Sequence, residues 1–114
     1  MEHQKHQKDC IFCKIITGDI PSEFLFQDEA LVAFKDIKPI APVHVLIVPK
    51  KHIRSINDLT AGDEALVSHM IMTAKDLAKQ TGVNKSGYRL FFNVEKGGGQ
   101  EIFHLHLHLI GGWV

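Results

Sequence analysis

The most constraining stretch of the chain is HLHLHLIGG, His104 to Gly112, in which three histidines alternate with three leucines. Strict alternation is the period of a β-strand, because successive strand side chains leave opposite faces. It predicts a final strand over Ile102 to Ile110. Leu105, Leu107 and Leu109 would face a core, and His104, His106 and His108 would share the other side. Neighbouring imidazoles would then stand about 6.5 to 7 Å apart. The geometry speaks against one metal ion held by all three, since the outer pair would lie about 13 Å apart while zinc–nitrogen bonds are about 2.0 to 2.1 Å, although two of them could share one. A solvent-facing strand that chose His three times running is a poor explanation, because Thr, Lys and Glu are commoner. A row of imidazoles for acid/base or nucleophilic chemistry remains.

The rest of the chain supplies the frame for that strand. Ile11 to Thr17 reads as a short helix ended by Gly18. Phe24 to Gln27 and Ala30 to Lys35 read as strands around the Asp28-Glu29 turn. Pro39 and Pro42 exclude a central strand between them, and Val43 to Val48 (VHVLIV) is the strongest strand signal of the first half. Thr60-Ala61-Gly62-Asp63 resembles a capping box, with Asp in place of the usual Glu or Gln, opening a helix over Ala61 to Thr81. Within it Leu66, Met70, Ala74 and Leu77 recur at helical spacing, and Gly82 ends it. His69 and Met72 are given no chemistry. Tyr88 to Val94 reads as another strand. The expectation is an α+β domain: an antiparallel sheet of about five strands, one long helix and one short N-terminal helix.

A chain of 114 residues, 45 % of them apolar, can bury one core and is not disordered. Its 13 basic and 13 acidic residues balance, which gives no electrostatic case for duplex nucleic acid or an anionic membrane. A small phosphate-bearing ligand needs only a local site. No apolar run approaches the roughly 20 residues of a transmembrane helix. The polar start, MEHQKHQKD, has no secretory h-region and reads as a flexible tail over residues 1–9, before a single domain over 10–114. His3 and His6 carry no role, and a cytoplasmic address fits.

Several residues admit more than one reading on sequence alone. His44 lies on the VHVLIV strand, opposite Val43 and Val45: a structural imidazole satisfied by a backbone carbonyl, or a partner in the chemistry. Gly97-Gly98-Gly99 is a turn, or backbone that lets N–H groups approach an anion. Asp36 ends a strand, or accepts two hydrogen bonds from a vicinal diol. Cys10-x-x-Cys13 is a redox pair, two buried thiols, or half of a zinc site that needs two more ligands.

Taken together these motifs resemble the histidine triad (HIT) proteins, whose signature is His-x-His-x-His-x-x with apolar x. CIFCKIITGDIPS, FKDIKPIAPVHVLIVPKKHI and GYRLFFNVEKGGGQEIFHLHLHLIGG stand in the order of the Hint branch, the histidine triad nucleotide-binding proteins. The likeness runs from about Cys10 to Gly112 and implies a HIT-like fold. It implies a hydrolase or nucleotidyl transferase acting at the α-phosphate of purine nucleoside phosphoramidates, with no cofactor needed for catalysis. His106 would be the nucleophile, His108 the contact to phosphate and leaving group, and His44 a proton relay beside the first triad member His104. Asp36 would bind the ribose, Phe12, Phe34 and Ile37 would wall the base, and Asn93, Gly99, Gln100 and Glu101 would surround the phosphate. Glu101 would serve through its backbone N–H, since a carboxylate repels phosphate.

The likeness also implies structural zinc on Cys10, Cys13, His52 and His104, so the three alternating histidines need not share one task. It implies a homodimer, for which the sheet edges and the apolar faces of the helix and the Tyr88 to Val94 strand give a motive. A partner's Trp113 would then come near the ligand. Two other activities stay open: a dinucleoside polyphosphate hydrolase of the Fhit type, and a non-catalytic, zinc-stapled nucleotide-binding adaptor. The chain stops at Gly111-Gly112-Trp113-Val114, short of many Hint relatives, so substrate selectivity is the property this resemblance carries over least.

Overall fold

The computed structural model describes residues 9–113, so the tail expected over residues 1–9 lies outside the described part except for Asp9. Helix α1 occupies Ile11–Thr17, and Gly18 stops it with φ 89°, a left-handed turn that a Cβ would strain. Strands β1 (Phe26–Gln27), β2 (Leu31–Lys35) and β3 (Val43–Pro49) follow, then the long helix α2 (Glu64–Gln80). After it come a single turn α3 (Val83–Ser86), β4 (Tyr88–Phe91) and β5 (Leu107–Gly111). The five strands form one antiparallel sheet in the order β1-β2-β3-β5-β4. The class is α+β.

Strand parity sorts the core into two layers. Leu31, Ala33, Val45, Ile47, Leu107 and Leu109 leave one face and pack on Met70, Ala74, Leu77 and Ala78 of α2. Val32, Phe34, Leu46 and Val48 leave the other and pack on Phe12 of α1. His44 has the parity of Leu46, and His108 sits opposite Leu46 in register, so both imidazoles belong to the α1 side. The leucines of the alternating stretch thus anchor the sheet to α2, each such burial stabilising by about 1.5–3 kcal/mol. Its polar partners are carried to the far face.

Four boundaries differ from expectation by two residues or more. β1 begins at Phe26, and the capping box opens a turn of 3-10 helix at Ala61–Asp63 before α2. The Asp63 carboxylate accepts the Thr60 N–H at 2.9 Å and pairs with Lys51 at 2.7 Å, an arrangement that holds the helix start against the β3 exit. β4 ends at Phe91 instead of Val94.

The last difference matters most. The final strand begins at Leu107, and Ile102 to His104 bend away from the sheet. β3 and β5 pair Ile47 with Leu107, so two further residues would set Leu105 opposite Pro49. Proline has no N–H to continue the ladder. Leu105 instead donates its N–H to the Ile53 carbonyl at 2.7 Å. The extended row of three histidines is therefore broken before His106.

Candidate functional site

Hydrogen bonds to the backbone, or to a neighbouring ring, decide which nitrogen of each imidazole carries a proton. The Ile40 N–H donates to Nδ1 of His44 at 3.1 Å, so the neutral His44 ring holds its proton on Nε2. That Nε2–H lies 2.9 Å from Nδ1 of His108 and donates to it, with the Asp36 Oδ2 at 3.4 Å on the same proton. The His108 proton consequently sits on Nε2. Among the described residues, this Nε2 is a buried side-chain polar atom left without a hydrogen-bond partner. A buried donor without an acceptor costs about 1–3 kcal/mol, which a ligand oxygen or nitrogen would recover.

His106 is fixed in the opposite sense. Its Nδ1–H donates to the His104 carbonyl at 2.7 Å, which leaves Nε2 with the lone pair. Burial lowers the pKa of His106 and of His44, and takes His108 to about 4, with the neighbouring His106 and His44 rings adding to the effect at His108. All three rings are thus neutral near pH 7. The rings of His106 and His108 lie 4.9 Å apart between centroids, and Phe12 meets the His106 ring edge-on at 5.1 Å. The result is one unprotonated nucleophilic nitrogen beside one unused N–H donor.

Asp36, His44 and His108 bring ligand-type atoms within 4.8 Å of one another, but a proton on His44 Nε2 occupies the lone pair a metal would need. This group is a hydrogen-bonded chain from Asp36 through His44 to His108. A second cluster has the other character. Ligand atoms of Cys10, Cys13, His52 and His104 also lie within 4.8 Å, and no disulfide joins the two cysteines. His104 Nδ1 is 3.2 Å from Cys10 Sγ, 3.6 Å from Cys13 Sγ and 3.1 Å from His52 Nδ1; Cys13 Sγ is 3.4 Å from His52 Nδ1. A tetrahedral zinc with its usual bond lengths sets nitrogen–nitrogen edges of about 3.3 Å and sulfur–nitrogen edges of about 3.6 Å. The cluster has the size of a metal cage. His104 Nε2–H donates to the Pro49 carbonyl at 2.7 Å, which directs the bare Nδ1 into the cage, and the Cys13 N–H supports Cys10 Sγ at 3.3 Å.

A family model described as "Scavenger mRNA decapping enzyme C-term binding" matches residues 9–112. A purine nucleoside phosphoramidase from Escherichia coli K12 is 45 % identical over 105 residues, 92 % of this chain and 88 % of that protein. An uncharacterized HIT-like protein of Buchnera aphidicola (subsp. Baizongia pistaciae) is 46 % identical over 102 residues, 90 % of this chain and 91 % of the relative. The chain belongs to the histidine triad family. Solved relatives agree in fold. A HIT family hydrolase from Legionella pneumophila superposes with a TM-score of 0.90 at 51 % identity, over 93 % of this chain and 95 % of the other. A histidine triad protein from Clostridium difficile gives 0.92 at 41 %, with 96 % of each chain covered.

The remaining triad-family positions fall into place unevenly. Asp36 Oδ1 is held by the Lys38 N–H at 3.0 Å, and Ile37 beside it is 86 % exposed. Phe12 and Phe34 are buried against each other at 5.6 Å between centroids and belong to the core. Asn93 and Gly99 are brought together: a Cβ on Gly99 would lie 3.8 Å from the Asn93 side chain, and Gly99 itself needs φ 89°. Gln100 is committed elsewhere. Its Nε2 donates to the Arg54 and Ile102 carbonyls, and its Oε1 accepts the Glu95 N–H at 2.8 Å. Glu101 lines a hollow of about 390 Å³ with Cys10 and His52, on the side of the cysteine–histidine cage.

Sequence reasoning missed Phe91. Its ring stacks on His108 at 4.5 Å with an 8° tilt, because β4 and β5 pair these two residues in register. The backbone groups of Ile40, Pro49 and His104 were also invisible, since any residue supplies an N–H or C=O there. Only the fold reveals them.

Proposed function

We propose that this chain hydrolyses purine nucleoside phosphoramidates through a nucleotidyl-histidine intermediate, and that it is built around a structural zinc. The observation that carries the reading is the opposed tautomers of His106 and His108. Nε2 of His106 attacks the α-phosphorus, a P–Nε2 bond forms and the P–N bond to the amine breaks. The His44–His108 pair takes up one proton from solvent as the anionic nucleotide binds; the Nε2–H of His108 then passes to the departing amine, and both rings of the pair are left neutral. Water then adds to phosphorus, the P–Nε2 bond breaks, and the water's proton returns along the same relay. A neutral His106 suits the attack, because a protonated His106 has no lone pair to offer. Similarity to the phosphoramidase of Escherichia coli supports the substrate class.

Cys10, Cys13, His52 and His104 would hold the zinc. When bound, it cross-links α1 to the loop after β3 and to the approach to β5, with no part in bond making. Asp36 would take the ribose hydroxyls, with Ile37 against the base. A homodimer is part of the proposal. β4 is a sheet edge, and α2 leaves Ile71 39 % and Met72 51 % exposed. Among the described residues no helix is long and apolar enough to cross a membrane, consistent with action in the cytoplasm.

Adenosine 5'-phosphoramidate is the test substrate, with a dinucleoside polyphosphate as competitor. Release of ammonia and AMP that depends on His106 is the expected result. Cleavage of the polyphosphate alone would move the chain to the Fhit type. Tight AMP binding with no turnover of either would make it an adaptor.

A further inference from the structure

Phe91 is a large apolar residue that the core does not use. Tyr88 and Leu90 of β4 pack into the α2 layer, and so does Phe92 just beyond the strand. Strand parity sends Phe91 to the opposite face, the one that carries the histidines. Among the described residues it joins neither apolar layer of the core. Its ring lies on His108 instead, 4.5 Å away between centroids and 8° from parallel, and the Arg89 guanidinium stands 5.7 Å from its centre. The sheet imposes this contact, because Phe91 and His108 are directly opposite in the β4–β5 register.

The His108 ring needs such a surface. Its Nδ1 accepts the His44 Nε2–H at 2.9 Å, while its own Nε2–H is buried and without a partner among the described residues. One hydrogen bond fixes one ring atom. The ring stays free to rock about that atom, and Nε2, on the far side, then moves most. The rings of His106 and His44 also touch His108, but they meet it tilted, by 58° and 43°. A parallel ring acts differently: stacked faces keep a nearly constant separation, so the imidazole plane follows the phenyl plane. Proton transfer asks for a donor within about 2.6–3.2 Å of its acceptor, and a small misplacement lowers the rate steeply. Resting on the function proposed above, we propose that Phe91 is a positioning residue that fixes the plane of His108 and so aims its Nε2–H at the departing amine. It takes no part in bond making itself.

The test sets Phe91→Leu, apolar but without a flat face, against Phe91→Tyr, which restores one. Each is assayed on adenosine 5'-phosphoramidate, whose amine leaves with a proton, and on the p-nitrophenyl ester of AMP, whose leaving group departs as an anion. The readout is kcat/KM, which reports the transfer of the adenylyl group to the protein. Phe91→Leu should lower it by about tenfold on the phosphoramidate and by less than about twofold on the ester. Phe91→Tyr should stay within about threefold of wild type on both. Lost packing would depress the two substrates alike, so equal losses overturn the proposal, as does a Phe91→Leu protein as fast as wild type on the phosphoramidate. A measurement on the unaltered protein decides the matter should Phe91→Leu fail to fold. The carbon-bound ring protons of His108 should resonate upfield in NMR spectra, shielded by the phenyl face, and unshifted resonances overturn the proposal. Wild-type protein that cleaves neither substrate is a failure of the function beneath; wild-type turnover without the split between leaving groups is a failure of the Phe91 role alone.

Discussion

His104 and His106 are separated by one leucine, yet they are prepared for opposite work. His104 donates Nε2–H to the Pro49 carbonyl and turns Nδ1 toward Cys10, Cys13 and His52. His106 donates Nδ1–H to the His104 carbonyl and turns Nε2 toward His108 and the open face. In each case a single carbonyl selects the nitrogen that remains bare. The lesson is that a histidine's task is set by what its other nitrogen touches, and the backbone supplies that contact. The break in the strand before Leu107 makes the difference possible, because an unbroken strand would have sent both rings the same way.

Exchanging the two roles by mutation gives the largest effects. His106→Ala should lower kcat on adenosine 5'-phosphoramidate by at least about 10⁴-fold, since no second step replaces a lost nucleophile. Its melting temperature and metal content should stay near wild type, and AMP should still bind. The mirror experiment is His104→Ala or Cys13→Ala. There zinc measured by elemental analysis should fall below one per chain, and the melting temperature should drop by more than about 10 °C, as for other closed four-ligand sites. Chelation of wild-type protein should follow the same course. Full zinc occupancy in His104→Ala would dissolve the contrast.

A finer comparison lies within the relay. Asn at His108 removes the proton donor and should cost about 10²- to 10³-fold in kcat with an amine leaving group. With a leaving group that departs unprotonated, such as a p-nitrophenolate, the loss should shrink to within about tenfold, whereas the His106→Ala defect should persist. Equal losses on both substrates would assign His108 to binding alone. His44→Ala should behave like a weaker His108→Asn.

The smallest effect expected is on stability against pH. His44, His106 and His108 all titrate below their ordinary range when folded, His108 at about 4. Between that value and the unfolded value near 6.5, the unfolded chain holds more protons than the folded one. Stability therefore rises with pH through this window and is lost on acidification, at up to about 1.4 kcal/mol per pH unit for each group. Melting curves at pH 7, 5.5 and 4.5 should show a shallower decline for His108→Asn than for wild type, a difference that cancels the acid sensitivity of the metal ligands common to both. Parallel curves would contradict the buried neutral His108.

How much of this was legible differs by residue. The α1 limits and the Thr60 to Asp63 capping box could be read because both are local: a glycine stop, and an acceptor three residues from the backbone it caps. The leucine face of β5 was legible from its period, as was the parity of His44. The break before Leu107 was not, because its cause is Pro49 on the neighbouring strand, 56 positions before Leu105 by their numbers. Phe91 was hidden for a similar reason: its stacking on His108 follows from register across the sheet. The resemblance placed Gln100 at the phosphate, while the structure engages its amide in the loop, a use that only the positions of Arg54 and Glu95 disclose.

Rapid-quench mass spectrometry addresses the division of labour between the two histidines most directly. Wild-type protein is mixed with adenosine 5'-phosphoramidate, quenched under alkaline denaturing conditions within the first turnover, and its adduct mapped by fragmentation. The expected adduct is an adenylyl group on Nε2 of His106, forming and decaying at rates that match turnover, with none on His104. An adenylyl group on His104 or His108, or full turnover with no protein adduct at any time, would contradict that division.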